Sequence, residues 1–263
     1  MYVYLEFVRK SFFERYVYRA NSFIYLAGSI IRLMVMVSVW KVLLDSGISP
    51  EGVTFVDMMS YVIINMIVTT LISSNMTSRI TAKIKTGDIA IDFIRPVSLK
   101  YSLISEQLGI NLFRGIFNVI PVCLVALLFF NLKFPNSFLD VVMFTISIIN
   151  GIILMFAINY ILALCSFWLK TGKYNERYLR TLFELFGGTF IPLWFYPQFL
   201  YKLSYYLPFR LVTFDPISIY LGKLSLEASL KVITTQLIWI VCLYLLERYL
   251  WLKAQNYIFI QGG

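Results

Sequence analysis

The chain contains no histidine, and only 14% of its 263 residues are charged. A typical soluble domain carries about 25% charged residues, so the low content argues against an ordinary water-soluble protein. The absence of histidine removes the commonest general base and the commonest metal ligand. We therefore expect no catalytic dyad and no metal site in this chain.

Nucleotide-binding and redox motifs are also missing. Gly172-Lys173 and Gly222-Lys223 are followed by Tyr and Leu, and not by the Ser or Thr of a phosphate-binding loop. The three cysteines, Cys123, Cys165 and Cys242, lie in apolar stretches without CxxC spacing, which predicts small buried side chains. The chain is therefore not expected to be an enzyme or to hold a cofactor of its own.

Six long apolar stretches dominate the sequence. Hydrophobic residues make up 59% of the chain, and one helix needs about 20 of them to cross a bilayer. The pattern predicts an all-α membrane protein with six transmembrane helices in a single domain over residues 1–263. The predicted spans, of which the fifth is short, are Ser22–Leu44, Asp57–Thr77, Ser102–Phe130, Phe138–Leu169, Arg180–Phe195 and Leu230–Trp251.

Lysine and arginine are distributed unevenly between the two sides that these spans define. Segments on one side, which include both termini, carry 15 of these residues, and segments on the other side carry 6. Positive charge marks the cytoplasmic side, so we expect a multi-pass protein of a bacterial cell membrane with both termini cytoplasmic. The formal charge of +9 then reflects topology and attraction to anionic lipid, not nucleic-acid binding.

The first 21 residues differ from a signal peptide. Leu5, Val8, Phe12 and Tyr16 recur at helical spacing with charged residues between them. This pattern predicts a helix over residues 1–21 that lies in the membrane interface before the first span.

The cytoplasmic loop at residues 79–100 has the signals of a short amphipathic helix. Gly87 is a natural helix end, Asp88 is a natural helix start, and Pro96 prevents continuation. Such a helix either rests on lipid or inserts its apolar side into a groove of a soluble partner. The residues predicted on that apolar side are Ile89, Ala90, Phe93 and Ile94.

The same loop carries a family resemblance. Gly87-Asp88 followed by Ile94-Arg95-Pro96-Val97 resembles the cytoplasmic loop of type-2 ABC exporter permeases, in the branch named for daunorubicin-resistance membrane subunits. The resemblance covers nearly the whole chain. Further pieces in the family's order are Gly187-Gly188, Pro192, Pro197, Leu207-Pro208-Phe209, Asp215-Pro216, Tyr220-Leu221-Gly222 and Gln261-Gly262-Gly263.

The resemblance implies a pair of six-span permeases, identical or related, docked on two ABC ATPase subunits that bind ATP and Mg. It also implies efflux of a drug, an antimicrobial or a lipid-like amphiphile, as in multidrug resistance. The region around Gly87–Pro96 would be the coupling helix that receives movement from the ATPase. The implied coupling residues are Gly87, Asp88, Ile89, Asp92, Phe93, Ile94, Arg95 and Pro96.

Residues 196–229 are too apolar for an ordinary exposed loop. The glycines and prolines before this region would break the fifth span, and we expect two re-entrant half-helices near Pro197–Leu207 and Pro216–Leu224. In the resembled family this position holds an extracellular gate, whereas the alternative is a lipid-facing aromatic belt. The implied gate residues are Gly187, Gly188, Pro192, Pro197, Pro208, Phe209 and Pro216.

Four charged residues fall inside the predicted spans. Arg32 is near the middle of the first, Glu106 and Arg114 are on the third, and Glu184 is on the fifth. Charges at this depth usually face the interior of a bundle. Arg32 would either form a buried pair with Glu106 or contact a polar or anionic group of a substrate.

Two other functions remain open on the sequence alone. One is an autonomous secondary transporter or channel, against which stands the lack of a visible inverted repeat or an acidic relay. The other is a membrane scaffold that recruits a soluble protein and transports nothing.

Overall fold

The computed structural model describes residues 2–17, 19–47, 50, 52–130, 132–169 and 172–261. Lys170 and the closing Gly262-Gly263, which the sequence interpretation used, lie outside the described residues. Over the described part the chain is helical and has no strand.

Twelve α-helices occur in the described residues. Their bounds are α1 Tyr2–Val17, α2 Arg19–Asp45, α3 Phe55–Ile72, α4 Met76–Thr86, α5 Ile89–Ile94, α6 Leu99–Arg114, α7 Ile120–Phe129, α8 Phe138–Leu169, α9 Gly172–Phe186, α10 Gln198–Ser204, α11 Phe214–Tyr220 and α12 Leu226–Gln261. A π-helical turn, Gly115–Val119, joins α6 to α7, and a 3-10 turn, Leu193–Phe195, lies between α9 and α10.

Five helical segments of the described chain are long and apolar enough to cross a membrane. They match the first, second, third, fourth and sixth predicted spans, so the all-helical membrane class is confirmed. Their bounds are Ala20–Asp45, Phe55–Thr86, Leu99–Phe129, Phe138–Leu169 and Leu226–Gln255.

The fifth predicted span, Arg180–Phe195, is wrong as a continuous helix. Helix α9 begins earlier, at Gly172, and ends at Phe186. The chain then turns at Gly187 and Gly188, whose φ of +72° belongs to the left-handed region that favours glycine. At 15 residues α9 is about 22 Å long, which is shorter than the roughly 30 Å hydrocarbon core.

The second span is interrupted at Ser73, between α3 and α4. Side chains of α6 satisfy the backbone carbonyls that the break exposes. Asn111 donates to Leu71 O, Gln107 donates to Ser73 O at 2.9 Å, and Arg114 donates to the same Ser73 oxygen at 2.8 Å. The break is thus compatible with membrane depth, because protein groups replace the missing water.

A π-helical turn, Gly115–Val119, lies just before Pro121. Proline lacks the N–H that would continue the regular α-helical hydrogen bonding. The wider turn absorbs this loss without ending the helix, and such turns often occur at functional sites.

Helix α1 packs along α6 within the described structure. A Cβ added at Gly109 would lie 2.2 Å from the backbone oxygen of Val8, so the two helices approach each other closely there. Ser11 is the buried centre of this contact, whereas Leu5 is 59% exposed. The predicted helix is therefore present, and Val8 and Phe12 of its predicted apolar side are half-buried in the described structure.

Candidate functional site

The predicted coupling residues lie in a compact hairpin of two helices. Gly87, with φ of +81°, ends α4 and reverses the chain into the six-residue helix α5. Lys83 on α4 and Asp92 on α5 form an ion pair at 2.6 Å, which fixes the angle between the helices. Arg95 approaches Asp92 at 3.7 Å.

Helix α5 has two different apolar sides. Ile89 is buried, in a cluster that also contains Leu164 of α8 and Ala254 of α12. Ile94 is 84% exposed and Ile91 is 50% exposed. The predicted single apolar side of Ile89, Ala90, Phe93 and Ile94 is therefore wrong, because Ile89 and Phe93 pack inward while Ala90 and Ile94 face outward.

The outward side of this hairpin carries two exposed apolar side chains, Ile91 and Ile94. Buried Ile89 and half-buried Asp92 and Phe93 alternate with the exposed positions along the chain. The exposed neighbours are Lys85, Thr86, Gly87, Asp88, Ala90, Arg95 and Pro96.

The predicted gate region contains the two short helices α10 and α11. Residues 208–219 are buried without interruption, and this run holds the predicted gate residues Pro208, Phe209 and Pro216. Pro192 is also buried, whereas Pro197 is exposed. A lipid-facing aromatic belt does not account for a fully buried segment, although Phe199 and Tyr206 are 74% and 79% exposed.

Side chains from other elements satisfy the backbone where α9 ends. Thr213 donates to Gly187 O, and Tyr61 donates to Gly188 O at 2.7 Å. Asn65 donates to Thr189 O at 2.7 Å. Three carbonyls of the non-helical backbone just after α9 are thus bound by α3 and by the residue that precedes α11, so buried backbone in this break has hydrogen-bond partners.

A buried ion pair holds the turn between α10 and α11. Arg210 and Asp215 are both almost fully buried, with Arg210 Nη2 at 2.7 Å from Asp215 Oδ1 and Nε at 2.9 Å from Oδ2. The guanidinium also lies 3.7 Å from the ring centroid of Tyr205. Burial alone would lower the pKa of Arg210, but the hydrogen bonds and charge of Asp215 raise that pKa above its ordinary value, so the guanidinium keeps its charge. Burial raises the pKa of the Asp215 carboxyl, and the hydrogen bonds and charge of Arg210 oppose that shift.

A second charge cluster joins three segments at the end of the bundle where α3 begins. Asp57 accepts hydrogen bonds from Lys133 at 2.8 Å and from Lys223 at 2.6 Å. Lys223 also donates to the backbone oxygen of Gly52. The loops before α8 and α12 are therefore tied to the start of α3.

The intramembrane charges do not pair as one alternative predicted. Glu106 pairs with Arg79 at 2.7 Å, so the Arg32–Glu106 pair is wrong. Glu184 pairs with Arg180, one turn away on α9, at 2.8 Å. Arg114 binds the broken backbone at Ser73, which is a structural role.

Arg32 instead lines a cavity of about 720 Å³ together with Arg114 and Glu184. The walls come from α1, α2, the end of α3 with the break after it, α6, the π-helical turn, α8, and α9 with the segment after it. Ten serine, threonine and asparagine residues contribute to the lining. The volume falls within the roughly 300–1,000 Å³ of small-molecule sites.

Several of these groups escaped the sequence interpretation. The partners of Arg210 and Asp57 could not be identified from one sequence, because the pair Asp57–Lys223 spans 166 positions. The only signal for Arg210 and Asp215 was their position in an apolar region, where a charge needs a partner. Two buried asparagines join helices, Asn111 to α3 and Asn150 to α12, and Asn65 binds the non-helical backbone after α9.

Comparison with known proteins places these features in a family. A search of curated proteins finds none that matches the chain. A family model described as an ABC-2 family transporter protein matches residues 23–261, which include α5, the cavity-lining spans and the predicted gate region. The match covers nearly the whole chain and agrees with the resemblance carried by the 87–97 loop. The chain therefore belongs to the ABC-2 transporter family, whose members are membrane components of ABC transporters.

Proposed function

We propose that this chain is the permease subunit of an ATP-driven exporter that moves an amphipathic or hydrophobic compound, such as a drug, an antimicrobial or a lipid-like molecule, out of the cell. A separate ABC ATPase subunit would bind ATP and Mg and hydrolyse the nucleotide. Two six-span subunits, either two copies or one copy and a relative, would form the translocation path. Family membership supports the transporter class, and the form of α5 supports the mechanism.

The observation that carries the proposal is the double-sided packing of α5. Its outer side presents Ile94 and Ile91 to solvent, as a partner-binding helix requires. Its inner side packs Ile89 and Phe93 against the cluster formed with α8 and α12. A partner that displaces α5 would therefore displace two spans, because a packed core transmits strain.

Five crossings of this proposal are the five long apolar helices. The remaining crossing, which is the fifth along the chain, consists of α9 and the irregular segment up to Phe195. The side-chain caps at Gly187, Gly188 and Thr189 support this reading, since non-helical backbone at membrane depth needs protein partners. Six crossings put both termini and α5 on the same side of the membrane. The excess of lysine and arginine marks that side as cytoplasmic. The buried segment 208–219 would then form an extracellular gate, with the Arg210–Asp215 pair holding its turn.

A reconstitution experiment tests the proposal. The tagged chain is purified from its native membranes with its associated subunits and inserted into liposomes, and uptake of a fluorescent amphiphilic dye is measured. We expect dye transport that requires ATP and is stopped by vanadate. Transport driven by a proton or sodium gradient without ATP would indicate a secondary transporter, and ATPase binding without transport would indicate a scaffold; either result contradicts the proposal.

A further inference from the structure

The cavity beside Arg32 has an unusual charge. Two glutamates and five arginines line it within the described structure. Two of the arginines, Arg32 and Arg114, lie inside membrane-spanning helices, where charges are costly and are retained mainly for function. The arginines are Arg15, Arg32, Arg114, Arg177 and Arg180.

The two glutamates are already engaged by protein groups. Glu176 accepts hydrogen bonds from the backbone N–H of Ser78 at 2.7 Å and from the Ser78 hydroxyl. Glu184 accepts a hydrogen bond from Arg180 at 2.8 Å. Among the described residues, the other four arginines of the cavity have no carboxylate within ion-pair distance. The cavity wall therefore carries uncompensated positive charge.

Helix α2 presents different residues to the cavity and to the surroundings of the bundle. The cavity side carries Asn21, Ser22, Tyr25, Ser29 and Arg32. Phe23, Ile24 and Ile31 lie on the other side of the helix and are 65%, 72% and 62% exposed. One helix therefore separates the charged cavity from apolar surface that faces hydrocarbon in a bilayer.

We infer that the cavity holds the anionic head group of an amphiphile. A phosphate, sulfate or carboxylate group has the oxygen acceptors that guanidinium groups bind in pairs. The inference rests on the proposed export function and narrows its substrate class to anionic amphiphiles.

Binding to the purified chain in phosphatidylcholine nanodiscs tests the charge preference. Three probes are compared by isothermal titration calorimetry below their micelle concentrations: dodecyl phosphate, dodecyltrimethylammonium and inorganic phosphate. We expect dodecyl phosphate to bind at least about tenfold more tightly than either of the others, since it alone offers both the charge and the chain. If dodecyl phosphate and dodecyltrimethylammonium bind equally tightly, the anionic preference is overturned. If inorganic phosphate binds as tightly as dodecyl phosphate, the assignment of an amphiphile as the ligand is overturned.

A pair of double variants locates the site. Arg15→Gln with Arg32→Gln removes two charges that line the cavity and have no carboxylate partner there. Arg9→Gln with Lys10→Gln removes two exposed charges of α1 that do not line it. We expect the first variant to weaken dodecyl phosphate binding at least about tenfold and the second to leave it unchanged. The same loss in both variants would overturn the site.

The source of the head group is distinguished by adding phosphatidylglycerol to the nanodiscs. Competition with dodecyl phosphate would assign the site to a bilayer lipid, and undiminished binding would assign it to an amphiphile that enters from the cytoplasm; both agree with the inference. Failure of the proposed function can be distinguished from failure of this inference. The proposed function fails if ATP-dependent dye transport is missing in the liposome experiment. Dye transport without dodecyl phosphate binding would overturn the inference alone.

Discussion

The rings of Phe93 and Trp251 stack with their centroids 5.5 Å apart and their planes 8° from parallel. Phe93 also meets Phe167 edge to face, with centroids 6.4 Å apart. The centre of α5 is thus held between the ends of α8 and α12. This contact assigns Phe93 to the interior of the subunit, and Ile94 is the residue left for a partner.

Ile94→Asp and Phe93→Asp should therefore fail in different ways. Ile94→Asp adds a charge at an exposed position, so we expect a normal melting temperature and a loss of at least about tenfold in ATPase stimulation, as for an interface hot spot. Phe93→Asp removes a packed ring and should destabilise the subunit by about 3–5 kcal/mol. Thermal unfolding and ATP hydrolysis by the assembled complex measure the two effects.

Phe138→Asp is the matched control for that pair. Phe138 is 83% exposed at the start of α8, the opposite end of this helix from α5. The Phe138→Asp variant should keep the normal melting temperature and the normal stimulation of ATP hydrolysis. If Ile94→Asp also keeps full stimulation, α5 does not receive force from the ATPase.

The buried pair Arg210–Asp215 should be a strong determinant of stability. Asp215→Asn leaves the Arg210 guanidinium buried without its counter-charge, and breaking such a pair costs about 3–5 kcal/mol. The control is Glu227→Gln, which breaks the exposed pair with Lys231 and should cost roughly 0.5 kcal/mol or less. Thermal unfolding in detergent compares the two variants, and similar small losses would contradict a structural role for the buried pair.

The sequence predicted the membrane class and five of the spans because long apolar runs have few other interpretations. It misplaced the fifth because α9 is amphipathic: Leu179 and Phe183 are buried, while Arg180 and Glu184 line the cavity. Counting apolar residues favoured the more hydrophobic stretch after Phe186, where the helix has already ended.

The candidate site was predictable in position but not in detail. Gly87 and Pro96 bounded α5 correctly, since turn residues act through local backbone geometry. Which side of a six-residue helix faces inward depends on α8 and α12, which lie far away in the sequence. The same holds for Arg32, because the folded arrangement decides that none of the described carboxylates lies within ion-pair distance of it.

Gly109 should determine how α1 attaches to the bundle. In Gly109→Ala the new methyl group would collide with the backbone oxygen of Val8, which cannot move without displacing α1, at a cost of about 1–3 kcal/mol. We expect faster hydrogen exchange in residues 2–17 and a lower melting temperature. Gly28→Ala is the control, because a Cβ at Gly28 meets nothing within 4 Å. Unchanged exchange in Gly109→Ala would show that the close approach is not maintained.

The orientation of the chain can be tested with two single cysteines. In a background where Cys123, Cys165 and Cys242 are replaced by alanine, Ser46→Cys lies just after α2 and Thr86→Cys lies at the end of α4, both at exposed positions. The excess of lysine and arginine on the side of α4 predicts that this side is cytoplasmic. A membrane-impermeant maleimide should label Ser46→Cys in intact cells and Thr86→Cys only after permeabilisation. The reverse pattern would put α5 outside the cell, where no ATP-driven subunit could reach Ile94, and the proposed coupling would fail with it.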